Sequence, residues 1–463
     1  MRRIFAPKRT SWFKLALLGI FIFSAGLRFW GLGRFNTLVF DEVYFAKFAN
    51  HYLTGTEFFD AHPPLGKYLI AIAIGLGRWL PFGAEPTNTL AGSVLSPWDY
   101  RWLNALTGSF LPLIVAGIAY QLSRRRSYAA IAAAFVALDG LFLVESRYAL
   151  INVYLVGFGL LGHWFVLRAL DSQGRSRWGQ LAIAGMSLGA SAAVKWNGLG
   201  FWLGIVLLWL VAWGLRGQSQ GAQSFLARFA RLHLGHVLLC LAIVPAATYS
   251  FIWIPHLHLQ PEREFLEMQR EILSYHQRID TGADVHPYCS PWWSWPFLVR
   301  PVVYFFERTR ESNATLPSLP PDLDPVVFDV HAMGNPLLWW SSTIAIALLW
   351  IVVLERHRQI AQSSQLGIAL YLVVNHAANW LPWAKVSRCL FLYHYMSAAV
   401  FAFGGIAWLV ERWLRSDRFP LRVLGISSAI AIALAFLFWL PVYLGLPLSN
   451  AGFQWRMWFD SWI

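Results

Sequence analysis

The chain has 463 residues, 57% of them hydrophobic and 13% charged, with a net charge of +13. A typical soluble chain is about one quarter charged, so this composition excludes an ordinary water-soluble globule. Abundant apolar side chains exclude disorder, the lack of a short period excludes a repeat architecture, and three cysteines are too few for a disulfide framework. The 26 Trp and 34 Phe suit an all-α polytopic membrane protein, whose interfaces collect amphipathic rings.

An apolar stretch of roughly 20 residues crosses a hydrocarbon core of about 30 Å as a helix, and about eleven such stretches are expected. The first is Ser11 to Leu32. Arg and Lys precede it and a Ser-Ala-Gly lies within it, which is also the pattern of a signal sequence over Met1 to Leu27. The aromatic and glycine run continuing to Leu32, with no small-x-small site to end it, favours an uncleaved first span.

A first long outer connection, residues 33–100, follows. It opens on Phe40-Asp41-Glu42-Val43-Tyr44-Phe45, two adjacent carboxylates among aromatics at a membrane face. Such acids are costly to desolvate, so they either have a partner or do chemistry; the plain alternative is a helix N-terminus that favours negative charge. About twenty residues on, His62-Pro63-Pro64-Leu65-Gly66-Lys67 forms a turn fixed by two prolines, with His62 and Lys67 on its flanks.

Six further spans are Arg101 to Leu122, Ser127 to Val144, Leu150 to Leu170, Trp178 to Val194, Gly198 to Leu215 and Leu234 to Ile254. Their outer ends carry Arg101, Arg147 after Glu145, and Lys195 before Trp196-Asn197-Gly198. The second long outer connection, residues 255–335, contains Pro261 to Asp280, where Phe265, Met268, Ile272 and Tyr275 recur at helical spacing. This is an amphipathic helix that either lies at the interface or over a cavity, or packs on the bundle. Pro317 to Pro325 is a local Pro and Asp-rich loop, and Asn313-Ala314-Thr315 fits a glycosylation acceptor tripeptide. The last spans are Pro336 to Leu354, Leu366 to Leu381, Leu390 to Val410 and Val423 to Leu446, with Arg300, Lys385, Arg388 and His394 near outer ends. A single cation there is commonly a snorkelling anchor or half of a structural ion pair; several together suit an anionic ligand.

Lys and Arg mark the connections that stay in the cytoplasm. Alternate connections, from Arg2, Arg3, Lys8, Arg9 and Lys14 through Arg124 to Arg126 to Arg412, Arg415, Arg418 and Arg422, hold 20 basic residues against four acidic ones. The N-terminus is therefore expected in the cytoplasm and, with eleven spans, the C-terminus outside. The basic excess is a topology signal, so nucleic acid is not an expected partner.

Taken in order, Arg34 to Phe45 with Asp41-Glu42, the His-Pro-Pro-Leu-Gly-Lys turn, Leu138-Asp139-Gly140 leading to Ser146-Arg147, Val194-Lys195-Trp196-Asn197-Gly198, Trp295-Pro296 with Arg300-Pro301, Gly334-Asn335-Pro336 with Trp339, and Phe391-Leu392-Tyr393-His394-Tyr395 resemble the protein O-mannosyltransferase family. The resemblance covers most of the chain. It implies the C-type glycosyltransferase membrane fold as a single domain over residues 1–463, a polyprenyl-phosphate-mannose donor, Ser/Thr-containing exported proteins as acceptors, and a site facing away from the cytoplasm. The chain lacks the β-trefoil insert of eukaryotic members and so is similar to the shorter bacterial type. Asn152 stands where many members have an acid.

A lipid phosphate leaves as a stable anion, so transfer needs one carboxylate to take the acceptor proton and cations to hold the phosphate; direct displacement inverts the anomeric carbon. The resemblance assigns the base to Asp41, leaving Glu42 to orient the acceptor or to pair with Arg101. Arg147, Lys195, Arg388 and His394 are candidates for the donor phosphate, and His62 and Lys67 complete the expected substrate-binding set with Arg101. His62, His276, His286, His331, His394 and Cys289 show no zinc-motif spacing, so neither a metal nor another cofactor is expected. Cys289 and Cys389 both face the oxidising side and are free to pair. Two other readings stay open: a same-fold transferase acting on lipid A, such as an aminoarabinose transferase, and a transporter or flippase for lipid-linked sugars, which would place its polar groups near the midplane.

Overall fold

The computed structural model describes residues 11–77, 79–80, 86–217, 224–280 and 285–463. Arg2, Arg3, Lys8 and Arg9 of the basic N-terminal segment lie outside the described residues. Among the described residues, eight helical stretches are long and apolar enough to cross a membrane: Trp12–Phe29, Pro97–Ser123, Asn152–Leu170, Trp196–Gly214, Leu234–Leu259, Pro336–Glu355, Leu392–Leu414 and Phe419–Leu444. The three remaining expected spans coincide with shorter or less apolar helices.

Helix α1 (Ser11–Phe29) presents Leu15, Leu18, Ile22 and Phe23 outward, as a lipid-facing helix must. The first long connection is largely helical, with α2 (Glu42–Thr54) and the short apolar α3 (Leu65–Gly77). Helix α4 (Pro97–Ser123) starts on a reciprocal cap: the Ser96 N–H donates to Asp99 Oδ2 (2.8 Å) and Pro97 occupies the first helical position.

The expected span Ser127 to Val144 is broken in two, α5 (Arg126–Ala137) and α6 (Gly140–Glu145). Asp139 is the cause. Its carboxylate caps α6 through the Phe142 N–H (3.0 Å) and reaches across to the Asn335 N–H (3.0 Å) and Trp339 Nε1 (2.7 Å). The one acid expected inside a span is thus a fully bonded knot between two segments 196 residues apart. Gly140 is required beside it, because a Cβ there would enter the Tyr443 ring.

Helices α7 (Asn152–Leu170) and α8 (Gly174–Val194) pack along their length, and α9 (Leu199–Gly214) follows a single 3₁₀ turn. After α10 (Phe225–Phe229), the next span runs through α11 (Leu234–His236), a π-helical stretch Val237–Ile243, α12 (Val244–Ile252) and α13 (Ile254–Leu259). Pro245 lacks the N–H that an α-helix would use there, which accounts for the widened turn. Helix α14 (Phe265–Arg278) is the expected amphipathic helix; Met268 and Ile272 are buried against Trp253.

Strands β1 (Val302–Thr309) and β2 (Val326–Ala332) form an antiparallel hairpin running from the Val302↔Ala332 pair to Thr309↔Val326. Its register slips between Val303 and Phe305, so Tyr304 is the extra residue of a bulge. Every residue of β2 is buried. Helices α15 (Pro336–Glu355), α16 (Ser364–Trp380), α17 (Met396–Leu414), α18 (Phe419–Leu444) and the short α19 (Asn450–Gln454) complete the chain. Helix α17 is the hub, buried along almost its whole length, whereas α18 lies at the periphery with most of its residues not buried. Cys289 and Cys389 are joined in a disulfide, with Cα atoms 5.2 Å apart.

Candidate active site

The acidic pair divides its work at once. Glu42 opens α2 with no exposure and forms a two-pronged ion pair with Arg101, Nε to Oε1 at 2.8 Å and Nη2 to Oε2 at 2.7 Å. The same carboxylate accepts the N–H groups of Val39 (2.8 Å) and Ala149 (2.7 Å). Arg101 also donates to the carbonyls of Leu32, Phe35 and Thr37, at 2.7–3.1 Å, and lies against the rings of Tyr100 and Tyr148. Of the two roles open to Glu42, the geometry gives the pairing with Arg101.

Asp41, one residue earlier, is the reverse case. Its side chain caps no backbone N–H of α2 and, among the described residues, has neither hydrogen bond nor ion pair. Burial pushes its carboxyl up to about 6; Lys195 opposes the rise and Asp60 adds to it. A carboxylate with free lone pairs and a proton affinity close to neutral suits a general base. Phe40, just before it, sits in the left-handed backbone region at φ 52°, which is costly for a bulky side chain.

Three of the expected substrate contacts are drawn elsewhere. Arg101 is spent as above. Arg147 donates to the carbonyls of Leu27 (2.6 Å), Arg28 (3.1 Å), Trp30 (2.8 Å) and Gly31 (3.3 Å), the unpaired acceptors that the end of α1 leaves. Ser146 beside it takes Arg28 Nε at 2.8 Å, so this block fastens the first helix. Lys67 pairs with Asp60 and donates to the His62 carbonyl at 2.7 Å, closing the proline turn.

The others come together. A cavity of about 470 Å³ is lined by His62, Lys195, Asn197, His276, Asn379 and Arg388, with an apolar wall of Trp196, Leu199, Trp202, Leu203, Leu273 and Trp383. Four separate segments thus supply its polar groups, and α14 covers it through Leu273 and His276. Lys195 Nζ lies 3.4 Å from His394 Nε2 and 5.3 Å from the Tyr393 ring centroid. Neither Lys195 nor Arg388 is ion-paired within 4 Å among the described residues. Arg388 donates from Nη1 to the Cys389 carbonyl (3.0 Å).

Burial, aided by Arg388, lowers Lys195 to about 8 despite Asp41, Glu145 and Asp60. Burial also lowers Arg388 and takes His62 well below its usual value, with Lys195, His276, Lys67 and Arg388 adding to the latter. His276 drops to about 4 for the same first reason, with Arg388 next. Lys195 and Arg388 are thus two unpaired cations crowded into one poorly hydrated space, a setting that favours an anion, with His62 and His276 held neutral beside them. Asn197 and Asn379 line the same cavity, and the Oδ1 atom of each is buried without a hydrogen-bond partner. Asp41 does not line this cavity; it meets it through Lys195.

The family model described as Dolichyl-phosphate-mannose-protein mannosyltransferase matches residues 18–260, and that for the C-terminal four TMM region of protein-O-mannosyltransferase matches residues 261–462. The chain belongs to the protein O-mannosyltransferase family. It is 26% identical to a polyprenol-phosphate-mannose–protein mannosyltransferase of Mycolicibacterium smegmatis, over 92% of this chain and 88% of that one. Its identity to the protein of the same name in Corynebacterium glutamicum is 24%, over 99% and 95%. The Saccharomyces cerevisiae protein O-mannosyltransferase Pmt1-Pmt2 complex, solved with the sugar donor bound, superposes with a TM-score of 0.71 at 15% identity, over 98% of this chain and 93% of that one. The bundle is therefore a C-type glycosyltransferase fold in a multi-pass membrane protein of the mannosyltransferase family.

Three residues that enter the site, Asn379, His276 and Glu145, are not singled out by the sequence. His276 counted only as a conceivable metal ligand, although its place one turn after Ile272 on an amphipathic helix was a signal. Glu145 was read only as the neighbour of Arg147. It is fully buried, takes the Tyr304 hydroxyl on Oε1 and Asn152 Nδ2 on Oε2 (3.2 Å), and interacts with both Lys195 and Asp41.

Proposed function

We propose that this chain transfers mannose from polyprenyl-phosphate-mannose to Ser and Thr hydroxyls of exported proteins, on the outer face of the membrane, with inversion. The observation that carries the reading is Lys195, which lines the cavity and is also the cation that Asp41 senses. On this reading the donor phosphate and the carboxylate that takes the acceptor proton share one cation.

Lys195 and Arg388 hold the donor phosphate, with His62, His276 and His394 around it. Asn197 and Asn379 take sugar hydroxyls, and the apolar wall between α9, α14 and α16 receives the first isoprene units. The acceptor hydroxyl gives its proton to Asp41 as its oxygen attacks the anomeric carbon from the face opposite the phosphate. The C–O bond to phosphate breaks, and the second negative charge that develops is stabilised by Lys195 and Arg388. These groups, and no divalent metal, carry the charge, so transfer persists after exhaustive chelation. The N-terminus lies in the cytoplasm and the C-terminus outside.

The test is transfer of labelled mannose from polyprenyl-phosphate-mannose to a Ser/Thr-rich peptide by the purified full chain. Labelled peptide with the opposite anomeric configuration is expected. Label appearing in lipid A, or sugar crossing liposomes with no glycosylated product, overturns the reading.

A further inference from the structure

We infer that Glu145 and Tyr304 form a strut that positions Asp41, with Glu145 as its anchored end. The inference rests on Asp41 being the base of the proposed transfer. Tyr304 is the bulged residue of β1, and a bulge turns one side chain out of the alternation of its strand. Here the turned side chain is fully engaged at both ends. Its hydroxyl donates to Glu145 Oε1, and its ring stacks on Phe40 with centroids 4.1 Å apart and planes within 7°.

Phe40 is the residue whose left-handed backbone sets the direction of the chain into Asp41. A strained conformation persists only where its surroundings over-determine it, and the Tyr304 ring is what holds Phe40. At the other end Asn152 Nδ2 fixes Glu145 Oε2, so the carboxyl cannot swing away. Tyr393 meets the Phe40 ring edge to face, with centroids 6.0 Å apart. The groups facing Glu145 are therefore Tyr304 and Asn152 by hydrogen bond, and Lys195, Asp41 and Tyr393 by charge. Burial raises Glu145 to about 7, so near neutrality the position tolerates a neutral side chain of the same shape. Asn152, where the family resemblance leads one to expect an acid, here faces a carboxylate supplied by the opposite partner of the same hydrogen bond.

The test is a kinetic cycle on the full chain with E145A, Y304F, E145A/Y304F and E145Q. Loss of the strut is expected to lower kcat by about 10- to 100-fold in E145A and Y304F, since small misplacements of a reacting group have effects of that order, with little change in the KM for donor. The double variant should lose no more than the worse single one, and E145Q, whose amide oxygen still accepts from Tyr304 while its NH2 donates to the Asn152 amide turned over to present Oδ1, should stay within a few-fold of wild type. A kcat near wild type in Y304F, losses that multiply in the double variant, or a loss confined to KM overturns the strut. Wild-type chain without mannosyl transfer overturns the functional reading instead. In that case carbodiimide labelling read by mass spectrometry still decides the strut, because modification of Asp41 should rise in E145A and Y304F and stay low in E145Q.

Discussion

Glu42 and Arg101 are both inaccessible to solvent and meet through two parallel hydrogen bonds of 2.8 and 2.7 Å. The pair ties the start of α2 to the start of α4, and the remaining bonds of each partner go to the backbone of residues 32–39 and 149. Removing one partner leaves an uncompensated charge in a dry site, at a cost of about 3–5 kcal/mol. E42Q and R101M are therefore expected to lower the unfolding temperature in detergent sharply. The double apolar variant E42M/R101M should not restore it, because the carbonyls of Leu32, Phe35 and Thr37 lose their donor there as they do in R101M.

Asp41 differs from its neighbour in having no bonded partner, so D41N removes chemistry and leaves architecture. Turnover is expected to fall by about 10²- to 10⁴-fold or more, the usual range for a general base. Donor binding and thermal stability should be retained, measured by titration with the labelled lipid and by an unfolding scan. Turnover near wild type in purified D41N would remove Asp41 from the mechanism.

The membrane bundle, the acidic pair and the cations at span ends were legible because each is a local pattern: apolar length, adjacent carboxylates, a charge beside a tryptophan. Which cation meets an anion was not local. Arg147 and Lys195 look alike in the sequence, but the partners of Arg147 are carbonyls 116 to 120 residues away at the end of α1. The hairpin was missed for a physical reason too. Burial of β2 on both faces abolishes the alternation that marks a strand, and Asp329 and His331 interrupt its apolar run, while the bulge at Tyr304 breaks the period of β1. Glu145 could not be promoted without the hairpin, since its partner Tyr304 is 159 residues distant.

The pH dependence follows from two groups of opposite requirement. Asp41 must be deprotonated to act, and burial sets its titration at about 6, so kcat/KM should rise with pH through that value. Lys195 must be protonated to attract the phosphate, and burial lowers it to about 8, so kcat/KM should fall as pH passes that value. A bell between the two limbs is expected, reporting the free enzyme. In K195R the guanidinium stays charged, so the alkaline limb should move upward while the acid limb holds its place. An alkaline limb unmoved in K195R would assign it to another group.

The disulfide lies next to one of the two cavity cations. Cys389 follows Arg388, accepts its Nη1 on the backbone carbonyl at 3.0 Å, and is held to the second long connection by its own N–H on the Asp280 carbonyl (2.9 Å). Ser290, after Cys289, donates in turn to the Leu390 carbonyl at 2.8 Å. The cross-link between positions 100 residues apart thus fastens the strand of backbone that carries Arg388. Its loss removes a constraint typically worth about 2–4 kcal/mol and lets the guanidinium leave the cavity wall. Reduction with dithiothreitol is expected to raise the KM for donor several-fold and to lower the unfolding temperature, with kcat changed much less because Asp41 stands on another segment. C289A/C389A should show the raised KM without reductant and no further response to it. Donor affinity unchanged in both would separate the disulfide from the phosphate site.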